Sequence, residues 1–183
     1  MESKKVDKIK LVVLGTSGVG KTSITTRFCK DTFNISEKST IGASFFIKEV
    51  RTSEGKTLKY EIWDTAGQES YRSLASLYYK DASAALLVYD VTNRESFQEL
   101  ENWMRELKDK GEPGVKIAIA ANKGDLEQIV TSEEGEKFAT KHNAFFKCVS
   151  AKEDWGIKEL FQGLSELSFP SPVRTFSVFH YDF

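Results

Sequence analysis

Polar and apolar positions along the chain follow two rhythms. Ala84–Tyr89 is a short continuous apolar run, and Ile9–Leu14 and Val115–Ala121 are apolar but for one lysine each, the pattern of buried strands. Ser44–Thr52 and Lys56–Asp64 are β-rich and joined by Ser53-Glu54-Gly55, a hairpin spacing that makes one strand antiparallel. Phe145–Val149 reads as the last strand. Helical stretches fall between the strands: about Lys21–Lys30, Ser73–Lys80, a segment ending near Lys110, one running to His142, and about Gly156–Leu167. Thr92 and Ser96 are each followed three residues on by Glu, which predicts capping boxes opening the segment that Gly111 closes. Thr131 or Ser132 is the expected N-cap of the next helix. Asp31–Thr40 and Thr65–Arg72 read as loops, and Pro170 and Pro172 stop regular structure. Six strands alternating with about five helices predict an α/β fold with a mainly parallel sheet.

Composition narrows this picture. A chain of 183 residues favours one domain with a sizeable core. Hydrophobic residues at 40% and charged residues at 29% suit a globular protein in water. A net charge of −1 gives no basic surplus for nucleic acid, so no nucleic-acid partner is expected. No apolar run reaches membrane-span length, and the polar start Met1–Val6 is no signal peptide. Glu2 stands where N-myristoylation needs Gly. Cys29 and Cys148 are expected as two buried thiols in a reducing compartment, too few for a zinc site. Cytoplasmic placement follows.

The chemistry begins at Gly15-Thr16-Ser17-Gly18-Val19-Gly20-Lys21-Thr22, which reads G-x-x-x-x-G-K-S/T directly after an apolar strand. A phosphate chain needs several donors at once. Backbone N–H groups supply them, and small residues let the backbone come close. Lys21 adds a point charge for the β- and γ-phosphates, Thr22 a hydroxyl for Mg²⁺, and the following helix aims its positive end at the same place. Ligands of open α/β sheets bind beyond the carboxyl ends of the strands. There the third strand leads into Asp64-Thr65-Ala66-Gly67-Gln68, the fifth into Asn122-Lys123-Gly124-Asp125, the sixth into Ser150-Ala151-Lys152. Asn122 and Asp125 are the expected base readers. A carboxylate accepts two parallel hydrogen bonds from the N1–H and 2-amino edge of guanine, a pairing adenine lacks. By itself Asn-Lys-Gly-Asp would read as an ordinary polar turn; beside the phosphate loop it reads as a guanine site.

From Val6 to Leu167 these residues resemble the Ras superfamily of small GTPases. Ser39-Thr40-Ile41-Gly42-Ala43-Ser44-Phe45, Ile62–Glu69 and Tyr78-Tyr79 look like the Rab branch, and Ala43-Ser44 with Tyr71–Tyr79 most like its early-endosomal subgroup. The resemblance implies a single P-loop G domain over 6–168, with a short extension at 1–5 and an atypical tail at 169–183. It implies GTP or GDP with Mg²⁺ as ligands. Ser17, Gly18, Val19, Gly20, Lys21, Thr22 and Ser23 would hold the phosphates, with Thr22 and Thr40 on the metal and Asp64 reaching it through water. The Lys123 stem would cover one face of the base and Phe33 would edge onto it. The Ala151 N–H would meet guanine O6, with Ser150 and Lys152 completing that loop. Gly67 would give its N–H to the γ-phosphate, and Gln68 would orient the attacking water. Lys21, Gly67 and Gln68 are thus the catalytic candidates. Thr40 and Gly67 meet the γ-phosphate only while it exists, so two loops ordered by GTP would be released by hydrolysis. Ser17, and the lack of any match to a cis-acting arginine finger, suggest slow turnover that an external activator would speed.

In Leu58–Trp63 read as a strand, Leu58, Tyr60 and Ile62 share one face, Lys59, Glu61 and Trp63 the other. Trp63 on a polar face, flanked by Phe45 and Tyr78 as in the Rab aromatic triad, is the expected effector surface. Exchange factors, GTPase-activating proteins and GTP-state effectors are the implied partners of a monomer. Ser70 departs from the Arg many Rabs carry after Gln-Glu, on the regulator side. His142 is read as a surface residue near a helix end, the charges of Glu95–Lys110 as a solvated face, and Trp103 and Trp155 as packing residues. The last cysteine is Cys148, so no C-terminal prenylation motif is present and membrane contact is expected only through a partner. Two other readings stand beside the GTPase switch: a nucleotide-binding module that does not cycle, and an ATP-using P-loop kinase, which the Asn122–Asp125 and Ser150–Lys152 loops oppose.

Overall fold

The structure, a computed structural model, describes residues 6–36, 38–52, 55–67 and 77–169. In chain order come β1 (Asp7–Leu14), α1 (Lys21–Lys30), β2 (Ala43–Arg51), β3 (Thr57–Thr65), β4 (Ala84–Asp90), α2 (Arg94–Gln98), α3 (Leu100–Lys110), β5 (Lys116–Asn122), α4 (Ser132–Lys141), β6 (Phe145–Cys148) and α5 (Ile157–Ser168). One six-stranded sheet has the order β2-β3-β1-β4-β5-β6. Among the described residues of this sheet β2 and β3 pair antiparallel, as the hairpin spacing predicts, and the other neighbours are parallel.

Period-two alternation divides the core into two layers. Ile9, Leu11 and Val13 of β1 face one side with Ile24 of α1 and Ile157, Leu160, Phe161 and Leu164 of α5. Val12 and Leu14 face the other with Leu100, Trp103, Met104 and Leu107 of α3 and Ala139 of α4. β4, central and apolar up to its terminal Asp90, is buried at every residue. Helices on both faces leave the strand ends as the place where polar loops gather.

Three sequence expectations change. Thr92 and Ser96 do not cap helices. The Asn93 side chain accepts the Ser96 N–H at 3.1 Å and opens α2, which stops after five residues before α3 begins. Thr92 turns back instead, its N–H and hydroxyl donating to Asp90 Oδ1 at 2.8 and 2.7 Å. A carboxylate ending a strand is a stronger acceptor than a free helix turn offers, and it redirects the local hydroxyls. His142, expected on the surface, is half-buried: its ring lies 4.5 Å from that of Phe138 and Nε2 is 3.2 Å from Glu101. The capping box does form one helix later, between Thr131 and Glu134. Cys29 and Cys148 are separate free thiols, half-buried rather than buried, and burial lifts the Cys29 thiol to about 11. Of the expected helix Ser73–Lys80, residues 77–79 are helical and 73–76 lie outside the described residues.

Candidate functional site

A cleft of about 420 Å³ opens where β1, β3, β5 and β6 end. Ser17, Gly18, Gly20, Lys21, Thr22, Ser23, Phe33, Thr40, Gly67, Asn122, Lys123, Asp125, Ala151 and Lys152 all line it. Two expected binders do not. Val19 is packed in the core, and Ser150 is buried behind the wall. Asp64 sits behind it too, touching Thr22. Gln68 lies outside the described residues.

The phosphate end is built from the first turn of α1. Gly20 takes a left-handed conformation, φ 94°, and caps the helix without a side-chain bond. The first-turn N–H groups therefore have no side-chain cap of their own, the arrangement that accepts an anion. A Cβ on Gly20 would fall 2.2 Å from Asn122 Nδ2, and one on Gly67 2.4 Å from Lys21 Nζ and 2.5 Å from Ser17 N. Only glycines let these three loops meet so closely. Lys21 is 5% exposed and donates to the Gly15 and Thr16 carbonyls at 2.9 and 2.8 Å. Burial lowers its pKa to about 8, against the opposing pull of Asp64.

Beside it, three hard oxygens converge. Thr22 Oγ1 donates to Asp64 Oδ2 at 2.6 Å and lies 2.8 Å from Thr40 Oγ1. They come from α1, β3 and the loop before β2, and are the donor type that Mg²⁺ selects. The buried ammonium, the close glycine cradle and this oxygen set fit a phosphate with Mg²⁺.

At the other end, Asp125 is half-buried and its Oδ1 accepts the Ser150 hydroxyl at 2.6 Å. Asn122 ties the ends together, donating to the Val19 carbonyl at 2.9 Å and accepting the Ala151 N–H at 3.3 Å. Lys123 has φ 63° and extends along the cleft to ion-pair with Asp90 at 2.5 Å. Burial acts to raise the Asp90 pKa, but hydrogen bonds from Lys123 and Thr92 hold it below its ordinary value. Behind the loop, Trp155 bonds Ser150 through both backbone groups, and its ring fills the space a side chain at 124 would need.

Asp90 escaped the sequence reading although it ends β4, where the strand-end rule points. Arg27, in the last turn of α1, carried no motif signal. Thr65, which lines the cleft and donates to the Val13 carbonyl at 2.7 Å, was read only as a loop start.

Residues 10–168 match the model of the Ras family. The chain belongs to the Ras family. Curated relatives agree. It is 46% identical to Ras-related protein RABF2b of Arabidopsis thaliana over 154 residues, 83% of this chain and 76% of that one. It is 44% identical to RABF2a of the same plant over 159 residues, 86% and 79% of the two chains. It is 46% identical to Ras-related protein RGP2 of Oryza sativa subsp. japonica over 155 residues, 84% and 71%. The α/β sheet just described is thus a Ras-family G domain, and the chain is a Rab-like small GTPase. Among the described residues no helix is long and apolar enough to cross a membrane.

Proposed function

We propose that this chain is a guanine-nucleotide switch that hydrolyses GTP slowly unaided, gathers effectors in its GTP state and works as a monomer in vesicle or endosomal traffic. The observation that supports it best is the meeting of four strand-end loops in one cleft, with the buried Lys21 ammonium at one end and the Ser150-braced Asp125 carboxylate at the other. Lys21, the N–H groups of residues 17–23 and the Gly67 N–H bind and orient the phosphates. Thr22, Thr40 and Asp64 would hold Mg²⁺, Asp64 through water as the resemblance implies, and the ion would neutralise phosphate charge. Asp125 takes the N1–H and 2-amino group of guanine, the Ala151 N–H meets O6, and Phe33 and the Lys123 stem enclose the ring. Gln68 orients the attacking water. No strong base is needed, because positioning and charge neutralisation carry phosphoryl transfer.

Gly67 lies against Ser17 and Lys21, and Thr40 against Thr22, so loss of the γ-phosphate releases both and ends recruitment of partners at Phe45, Trp63 and Tyr78. An exchange factor reloads GTP, and an activating protein supplies the missing charge at the transition state, worth about 10³–10⁵-fold in rate. The purified protein should carry GDP or GTP and convert GTP to GDP in a single turnover. Co-purified ATP, or tightly held GTP that is never cleaved with or without an activator, refutes the proposal.

A further inference from the structure

Arg27 projects from the last turn of α1 toward a loop 124 residues away. Its Nε donates to the Ala151 carbonyl at 3.0 Å and its Nη2 to the Lys152 carbonyl at 3.2 Å. Nη1 donates to the Asp31 carbonyl at 3.2 Å, and Asp154 lies 3.8 Å from Nε. The side chain is 14% exposed. A cation in the last turn of a helix is ordinary, and Nη1 on the end carbonyl meets that need. The other two bonds serve no purpose for the helix. They spend one donor edge of the planar guanidinium, Nε and Nη2, on successive carbonyls of the loop that carries the Ala151 N–H.

We propose that Arg27 is a positioning residue for base recognition, coupling the helix that carries Lys21 and Thr22 to the Ser150-Ala151-Lys152 loop. The proposal rests on the guanine-nucleotide reading of the cleft. Ala151 is held from two sides. Its N–H donates to Asn122 at a long 3.3 Å, a contact that leaves it able to turn to a ligand acceptor. Its carbonyl is fixed by Arg27. With the carbonyl anchored to α1, the N–H points to one place relative to the phosphates, so a nucleotide of one length is gripped at both ends. Lysine could replace the charge but not the fork: one ammonium on a flexible stem cannot hold two carbonyls in plane. Without the arginine those carbonyls must find water, and the N–H loses its fixed direction.

The test measures affinities of the full chain for GDP and for the diphosphate of 2-aminopurine riboside, which keeps the 2-amino group but lacks O6 and with it the N1–H, so that what is compared is how far each affinity depends on Arg27. Wild type should prefer GDP strongly. Arg27→Met should weaken GDP about tenfold, the scale of a lost charge-assisted hydrogen bond, and weaken the analogue far less, so that the ratio shrinks. Arg27→Lys, which keeps the charge and the helix cap, should fall between them and remains informative if the methionine variant does not fold. An unchanged ratio in Arg27→Lys, or equal weakening of both nucleotides with a lowered melting temperature, overturns the proposal in favour of a purely structural role. A wild type that binds ADP as well as GDP fails at an earlier step, taking down the guanine reading itself.

Discussion

Lys21 shows how one side chain is set by its surroundings. Its ordinary pKa is near 10.5, and burial lowers it to about 8. The unfolded chain thus binds more protons than the ligand-free fold between about pH 8 and 10.5, and stability of the ligand-free protein should rise with pH across that window. A phosphate chain reverses the balance by favouring the ammonium. Nucleotide binding above pH 8 should therefore take up a proton, and affinity should fall by up to about tenfold per pH unit there while staying flat below. Calorimetry in buffers of different ionisation enthalpy reads that proton directly; no uptake at pH 9 would mean the ammonium is already fully charged. Asp125 carries a second residue-scale prediction. Asp125→Asn should weaken GDP and improve xanthosine diphosphate, whose 2-oxo group suits an amide donor. Competition binding measures the exchange, and a variant that keeps its guanine preference would remove Asp125 from base reading.

At the scale of elements, β3 does two jobs. Leu58, Tyr60 and Ile62 enter the core, and Asp64 and Thr65 serve the cleft. The opposite face carries Trp63, half-buried between Phe45 of β2 at 4.8 Å and Tyr78 at 5.2 Å between ring centres. Phe45 is 48% exposed, so the three rings form a ledge rather than a core. Trp63→Ala should weaken a GTP-dependent partner by tenfold or more and leave nucleotide affinity unchanged, since Trp63 does not line the cleft. Pull-down with the GTP-loaded protein tests this; a lowered melting temperature with partner binding intact would make Trp63 a packing residue. The hairpin was legible because Ser53-Glu54-Gly55 separates two β-rich runs. The split of α2 from α3 was not: two local capping signals competed, and Asp90, from a neighbouring strand, decided between them.

Across the whole molecule, binding and stability sit on different parts of the sheet. Phe161 of α5 is 2% exposed and stacks on Phe28 with ring centres 3.6 Å apart, while the Tyr60 hydroxyl donates to the Phe161 carbonyl at 2.6 Å. No residue of α5 lines the cleft. Phe161→Ala should cost about 3–5 kcal/mol in urea unfolding and leave the preference for guanine over adenine nucleotides intact. A cost below about 1 kcal/mol would mean the layer closes over the gap, and a changed preference would mean that α5 reaches the site.

The sequence by itself determined the α/β class, the strand-end positions and the family. Those rest on short-range signals: apolar runs of strand length, glycines before Lys21-Thr22, and polar clusters placed at strand ends. Most of the residues it marked as binders line the cleft, because most of them lie inside motifs of a few residues. What only the tertiary structure decided were the links between motifs. Asn122 bonding Val19, Asp90 pairing with Lys123 and Arg27 spanning to Ala151 join residues far apart in the chain. Such partners meet only after the sheet has ordered its strands β2-β3-β1-β4-β5-β6, and no local pattern records which buried carbonyl a distant side chain will satisfy.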